Sequence, residues 1–168
     1  MANAKINLKN FKTQFPKALS DDIDEKFIRA KRSWENKAIN VGKKLIDETI
    51  GKGISPVKGG GNQTGKGQRF TDYSESYKKR IRRKVFPGKK LRPINLKLTG
   101  KMRRSIKGRP TKEGILIFYS DKKASYHTDL GAGKGKVIRR MLPGKGTKEV
   151  LSRTITQPLL DLFIKLFK

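Results

Sequence analysis

Residues 59–68, GGGNQTGKGQ, place a glycine, four residues and then Gly65-Lys66, most of the skeleton of a phosphate-binding loop. In such a loop backbone N–H groups cradle phosphate, the lysine reaches the outer phosphates, and the next Ser or Thr holds Mg²⁺. Here that next residue is Gly67, so the metal ligand is missing. The upstream segment Ile54-Ser55-Pro56-Val57-Lys58 contains a proline and is too short and polar for the buried strand that feeds such loops. Downstream, no apolar run ends in the aspartate that completes the metal site. Gly131-Ala132-Gly133-Lys134-Gly135 begins like a dinucleotide fingerprint, but its last glycine is misplaced and no βαβ unit surrounds it.

His127 lies close to Ser125 and Asp129, the residue types of a hydrolase triad. Neighbours in sequence do not easily converge on one reacting atom, and no nucleophile elbow is present, so His127 reads as a packing or hydrogen-bonding residue. It is the one histidine of the chain, and there is no cysteine, which argues against thiolate or histidine-rich metal sites and against disulfides. The acids Asp21, Asp22, Asp24 and Glu25 sit where they complement the positive end of a helix. Carboxylates are too few elsewhere for a two-metal nuclease. The sequence therefore predicts no catalytic residue, metal or cofactor.

What remains is charge. The 168 residues carry 42 Lys and Arg against 14 Asp and Glu, a formal net charge of +28. Self-repulsion of that size opposes compaction unless polyanions or acidic partners sit nearby. Between Gly51 and Lys112 there are 20 Lys and Arg and only Asp72 and Glu75 to oppose them, so the middle third is one cationic region. Its densest run gives the residues expected to meet DNA or an acidic partner: Lys78, Lys79, Arg80, Arg82, Arg83 and Lys84, with Arg103 and Arg104. Contacts of this kind go to phosphate, do not read sequence and weaken steeply with salt.

The elements that position these residues follow from apolar spacing. Ile6, Leu8, Phe11 and Phe15 scatter among lysines in an N-terminal arm, residues 1–19, that needs something to pack on. Residues 20–168 are expected to form a single α+β domain. After the cap candidates Ser20-Asp21-Asp22, apolar residues from Ile23 to Leu45 recur three and four apart, predicting a long helix that ends near Gly51 to Gly53. Residues 51–69 lack periodicity and are expected to be an exposed Gly/Lys loop that orders on assembly, with Lys58, Asn62, Lys66 and Arg69 contacting a neighbouring subunit or DNA. Removing Gly59–Gly67 is then expected to leave the isolated fold intact.

Phe70, Tyr73, Tyr77, Ile81 and Val85 predict a second helix, with both tyrosines in the core and Pro87-Gly88 as its end. Ile94, Leu96 and Leu98 alternate as in a strand, and Thr99-Gly100 precedes a short helix bearing Met102 and Ile106. A hairpin is expected to turn near Thr111 to Gly114 into Ile115–Tyr119, with a short helix near Ala124 to Leu130 and a strand or extended hairpin over Lys136 to Leu142. In the C-terminal helical segment, residues 147–168, Pro158 can start a helix placing Leu159, Leu160, Phe163, Ile164 and Phe167 on one face. The whole is α+β: a small antiparallel sheet packed by a long N-terminal and a C-terminal helix. The apolar stripes of those helices and of the arm look in excess of what one chain needs, as though neighbours complete them. No apolar run approaches the roughly 20 residues of a membrane span, and the N-terminus lacks the apolar core of a secretory signal, so no membrane partner is expected.

The order of several segments resembles tailed-bacteriophage tail-completion proteins, also called neck, head-tail joining or virion-morphogenesis proteins. They are Ile54-Ser55-Pro56-Val57, Phe70-Thr71-Asp72-Tyr73-Ser74-Glu75-Ser76-Tyr77-Lys78, and Pro93 to Ile106 with its Leu98-Thr99-Gly100 step and Ser105-Ile106. Tyr126 to Gly131 and the basic run Arg139-Arg140-Met141-Leu142-Pro143 follow, then a C-terminal helix. Relatives usually carry an Ala-Arg-Pro-Phe-like element where this chain has Arg140-Met141-Leu142-Pro143-Gly144. The resemblance implies a small α+β fold without catalysis, assembled in the host cytoplasm into the virion. Its implied partners are portal, adaptor, stopper or tail-terminator proteins, often in a homo-oligomeric ring that genomic DNA crosses. The rival expectation, from charge alone, is a free nucleic-acid-binding protein of ribosomal or nucleoid type.

Overall fold

A computed structural model describes residues 3–7, 21–61, 67–83, 91–94, 96, 100–112, 114–131, 137–143 and 150–167. Helix α1, Asp21–Gly51, is the long helix that the apolar spacing requires, roughly 46 Å at the usual rise per residue. Ala30, Trp34, Ala38, Ile46 and Ile50 are buried along it, with Phe27, Ile39, Val41 and Leu45 packed beside them. Its end is closed by Gly53 at φ 76°. The Gly53 N–H bonds the Ile50 carbonyl at 2.9 Å and the Ile54 N–H bonds the Thr49 carbonyl at 3.1 Å, the paired bonds of a Schellman cap that needs a left-handed residue there.

The sheet has three antiparallel strands, β1 (Asn3–Asn7), β2 (Ile106–Thr111) and β3 (Gly114–Tyr119), in the order β1-β3-β2. The hairpin joins Thr111 to Gly114, as the turn signal requires, and the N-terminal arm supplies β1, whose Asn3 lies opposite Phe118 and Asn7 opposite Gly114. In β3, Ile115, Ile117 and Tyr119 are buried while Leu116 and Phe118 are half-buried, the period-2 pattern of a strand with one face on the core. Pro110 is tolerated because β2 is an edge strand. Helix α1 crosses β2 and β3 closely: a Cβ on Gly42 would stand 2.7 Å from Ile117 Cδ1, and one on Gly108 2.6 Å from Ile39 Cγ2.

Helix α2 is Glu75–Arg82, α3 is Lys101–Arg104, α4 is Lys123–Thr128 and α5 is Arg153–Phe167. The α+β class, the small antiparallel sheet and the two packing helices are those that the apolar patterns predict. Helix α5 lies along α1, where the Trp34 Nε1–H donates to the Leu159 carbonyl at 2.7 Å. Phe163 meets Phe27 and Trp34 edge-on, with ring centroids 5.4 and 6.1 Å away. The two terminal helices thus bury much of their apolar stripes against each other, while Ile28 and Ile164 stay exposed.

Several local expectations are also corrected. Helix α2 begins at Glu75 and not at Phe70: Phe70 and Tyr73 are buried from an extended lead-in, so their spacing mimicked a helix. Ile94 and Leu96 are buried but not in a strand, and Leu96 has φ 50°, incompatible with one; Leu98 lies outside the described residues. Ile106 opens β2 instead of ending α3. Residues 138–140 form no strand, although the Arg139 N–H bonds the His127 carbonyl at 2.7 Å. Helix α5 starts five residues before Pro158, which sits inside it; Ser152, whose carbonyl accepts from the Ile155 and Thr156 N–H groups, occupies the cap position. Ile155, Leu159 and Phe163 are its buried face and Ile164 is exposed.

The Gly/Lys segment differs most. Lys52, Lys58 and Arg69 are exposed as expected, but Gly53, Ser55, Pro56, Val57, Gly60 and Gly61 are buried. Ile54 pairs with Arg69, Gly60 with Gly67 and Val57 with Leu151. Ser55 Oγ donates to the Arg140 carbonyl at 2.6 Å, the Arg140 N–H to the Gly60 carbonyl at 3.0 Å, and the Ser152 N–H to the Pro56 carbonyl at 2.7 Å. The described flanks, 51–61 and 67–69, are therefore a joint linking the end of α1, residues 139–140 and the start of α5. Polar composition resembled a loop because the backbone, not side chains, makes these connections.

Candidate functional site

Helix α2 carries the cationic face. Ile81 is buried and Tyr77 half-buried on one side, and Lys79, Arg80, Arg82 and Arg83 are exposed on the other. Apolar residues four apart dock the helix, and the intervening basic residues are turned outward by its 3.6-residue period. Arg83, the C-cap, bonds the Lys79 carbonyl through its N–H at 3.1 Å. The positive side chains of the last turn also suit the negative end of the helix.

Lys78, at the edge of this face, has its charge engaged within the molecule. Its Nζ lies 2.7 Å from Glu75 Oε1 and 3.3 Å from Asp72 Oδ2, and Arg92 Nη2 lies 3.2 Å from the same Asp72 oxygen. The bond with Glu75 holds the Lys78 ammonium above the usual lysine range. Burial alone would raise the Asp72 carboxyl, but the bonds with Arg92 and Lys78 outweigh it and hold it below the usual range.

Arg103 is a clearer correction. Its Nε and Nη2 reach Asp47 Oδ1 and Oδ2 at 2.6 and 2.5 Å, and Nη2 also bonds the Asp47 carbonyl at 2.9 Å. This bidentate clamp ties α3 to the C-terminal part of α1, so Arg103 belongs to the fold and not to an outward basic face. Arg104 is exposed, as are Lys58 and Arg69. Lys84, Asn62 and Lys66 lie outside the described residues. The described structure therefore assembles Lys79, Arg80, Arg82 and Arg83 on one helix and separates Arg103 from them.

Behind α2 lies an interaction that residue type alone did not flag. Arg139 is buried, donates from Nε to the Thr71 carbonyl and from Nη2 to the Asp72 carbonyl, both at 2.9 Å, and stacks 5.3 Å from the Tyr73 ring centroid. Tyr77 meets Tyr73 edge-on at 5.2 Å. Burial pushes the Arg139 guanidinium below its ordinary value and the Tyr73 hydroxyl up to about 12, against the pull of Arg139. The fork fixes the extended lead-in from which α2 departs, so it is a positioning element. In the sequence Arg139 stands out only as part of the basic run Arg139-Arg140 before Met141.

The residues that suggested catalysis have structural surroundings. A Cβ on Gly60 would sit 2.7 Å from both Arg140 Cβ and Ser55 Oγ, and one on Gly61 would run into the Arg69 carbonyl. These glycines permit backbone segments to meet. Ser125 Oγ donates to the Lys122 carbonyl at 2.6 Å, and Asp129 Oδ1 is 4.0 Å from Arg140 Nη1. Among the described residues no group of three or more Asp, Glu or His side chains could hold a metal, and no helix is long and apolar enough to cross a membrane. A second surface feature was missed by the sequence: Tyr126 and Leu130, four apart, are 55% and 60% exposed beside the exposed Lys122 and Lys123. No family model matches the chain, and neither a curated protein nor a solved structure matches it.

Proposed function

We propose that the protein is a structural virion component of a tailed phage that helps complete the head-to-tail junction through protein–protein contacts, with a basic face toward DNA or acidic neighbours. The observation that carries the reading is the order of the resembling segments, from Ile54-Ser55-Pro56-Val57 to Arg139-Arg140-Met141-Leu142-Pro143. Those segments contribute buried scaffolding: Val57, Phe70, Tyr73, Ile94, Leu96, Ile106, Met141 and Leu142 all lie in the interior. A net charge of +28 suits a subunit beside genomic DNA or an acidic ring. The exposed Tyr126 and Leu130, flanked by lysines, suit contact with an acidic portal, adaptor, stopper or tail terminator.

The test is genetic and biochemical. Phage lacking the gene is expected to yield filled heads and free tails that fail to join, and purified wild-type particles are expected to contain the protein at a fixed copy number. Normal tailed particles without the gene would overturn the reading. The same charge favours a free nucleic-acid-binding protein, which expects the chain in host nucleoid or ribosomal fractions and absent from purified virions.

A further inference from the structure

We propose that the face formed by Lys79, Arg80, Arg82 and Arg83 grips the phosphate backbone of duplex DNA without reading its sequence. The inference rests for its setting on the neck role, in which DNA crosses the junction, and goes beyond it by choosing DNA over an acidic protein as what this face touches. At 100° per residue the four side chains fall within about 160° of the helix, opposite Tyr77 and Ile81. The two acids of the segment make their close contacts elsewhere: Asp72 and Glu75 converge on Lys78, at 3.3 and 2.7 Å, and Asp72 also pairs with Arg92.

The face also lacks what a protein interface needs. The exposed residues of 74–83 are Ser74, Glu75, Ser76 and the four cations, with no exposed apolar or aromatic side chain among them. Protein interfaces enrich aromatics and Met as well as Arg at their centre, whereas a phosphate backbone needs only positive donors. The contrast with α4 and the turn after it is direct, since Tyr126 and Leu130 are exposed there. No Asn or Gln lies on the α2 face to pair with an adenine edge. Lys79 to Arg83 span about 6 Å of helix axis. Duplex DNA carries one charge per ~1.7 Å, so four cations over that length match its linear density.

Fluorescence anisotropy on two duplexes of unrelated sequence, over a salt series, tests this. The variant Lys79→Ser/Arg80→Ser/Arg82→Ser/Arg83→Ser is compared with a control of equal charge change, Lys107→Ser/Arg109→Ser/Lys122→Ser/Lys123→Ser, both checked by thermal melting to be folded. All eight side chains are exposed. The α2 variant is expected to lower the log–log salt slope by roughly 3 to 4, since each lost phosphate contact removes about 0.9, and the control by about 1 or less. Equal losses in both variants would overturn the proposal in favour of diffuse attraction. A tenfold preference for one duplex would overturn it in favour of base reading. Polyglutamate competing as well per charge as DNA would overturn it in favour of an acidic protein ligand. An unchanged slope in the α2 variant, with untailed heads still produced by the gene deletion, would sink the DNA site and leave the neck role standing. The reverse pair of results would sink the neck role alone.

Discussion

Arg103 and Arg139 show that a cation's role is set by its nearest acceptors. The Asp47–Arg103 clamp joins residues 56 positions apart with both carboxylate oxygens engaged. Asp47→Asn removes the charge and one good acceptor while leaving the guanidinium half-buried. The expected cost is about 1–2 kcal/mol in chemical denaturation, because Asp47 remains partly open to water. A double cycle with Arg103→Met is expected to recover part of that loss, since the stranded charge goes with the arginine. Tyr73 carries a pH signature. Its folded pKa, near 12, is raised above the ordinary tyrosine value of about 10. Its contribution is therefore fully present below pH 10 and is lost as pH rises from 10 toward 12, by about 3 kcal/mol in all. Denaturation at pH 9 and 11.5 is expected to show a smaller alkaline loss in Tyr73→Phe than in the native chain. An identical loss in both would locate the effect elsewhere, for instance at Tyr119, whose hydroxyl burial also pushes up.

At the scale of elements, the pairing of α1 with α5 and the sheet decides most of the architecture. Period-3.6 and period-2 patterns made α1, β3 and the hairpin legible, because each buries one face and exposes the other. Helix α5 was legible in composition but not in its start, since Pro158 looked like a first-turn residue. Inside the helix, Pro158 gives no N–H to the Thr154 carbonyl four residues back. Pro158→Ala is therefore expected to raise stability by about 1–2 kcal/mol, read as a higher thermal midpoint. No change or a decrease would mean that the proline's restriction of the unfolded chain outweighs the missing bond. The joint around Gly60 was illegible for the opposite reason. It is held by backbone groups and by close approach at glycines, which leave no side-chain period to read. Removing Gly59–Gly67 is now expected to unfold or severely weaken the isolated protein, measured by melting, and not merely to impair assembly.

For the whole molecule, charge is the governing quantity. With 42 cationic side chains against 14 acids, the folded chain is under self-repulsion that mobile ions relieve. The melting temperature is expected to rise between 20 and 300 mM NaCl, and a fall would show that the internal pairs at Asp47 and Asp72 outweigh the repulsion. The sequence alone determined the net charge, the α+β class, the long helix and the hairpin, because these depend on composition and on periods shorter than one element. It also placed the densest cations on the outer face of α2. Only the tertiary structure decided which cations are available. Arg103 and Arg139 meet partners dozens of residues away, and Lys78 is engaged by Asp72 and Glu75, while Lys79, Arg82 and Arg83 face solvent. Residue type fixes a charge locally, but its compensation depends on long-range contacts that no local pattern encodes. For the same reason the segment that looked like a nucleotide loop became a joint, since the contacts at Gly60 and Gly61 exist only once distant strands of backbone have met.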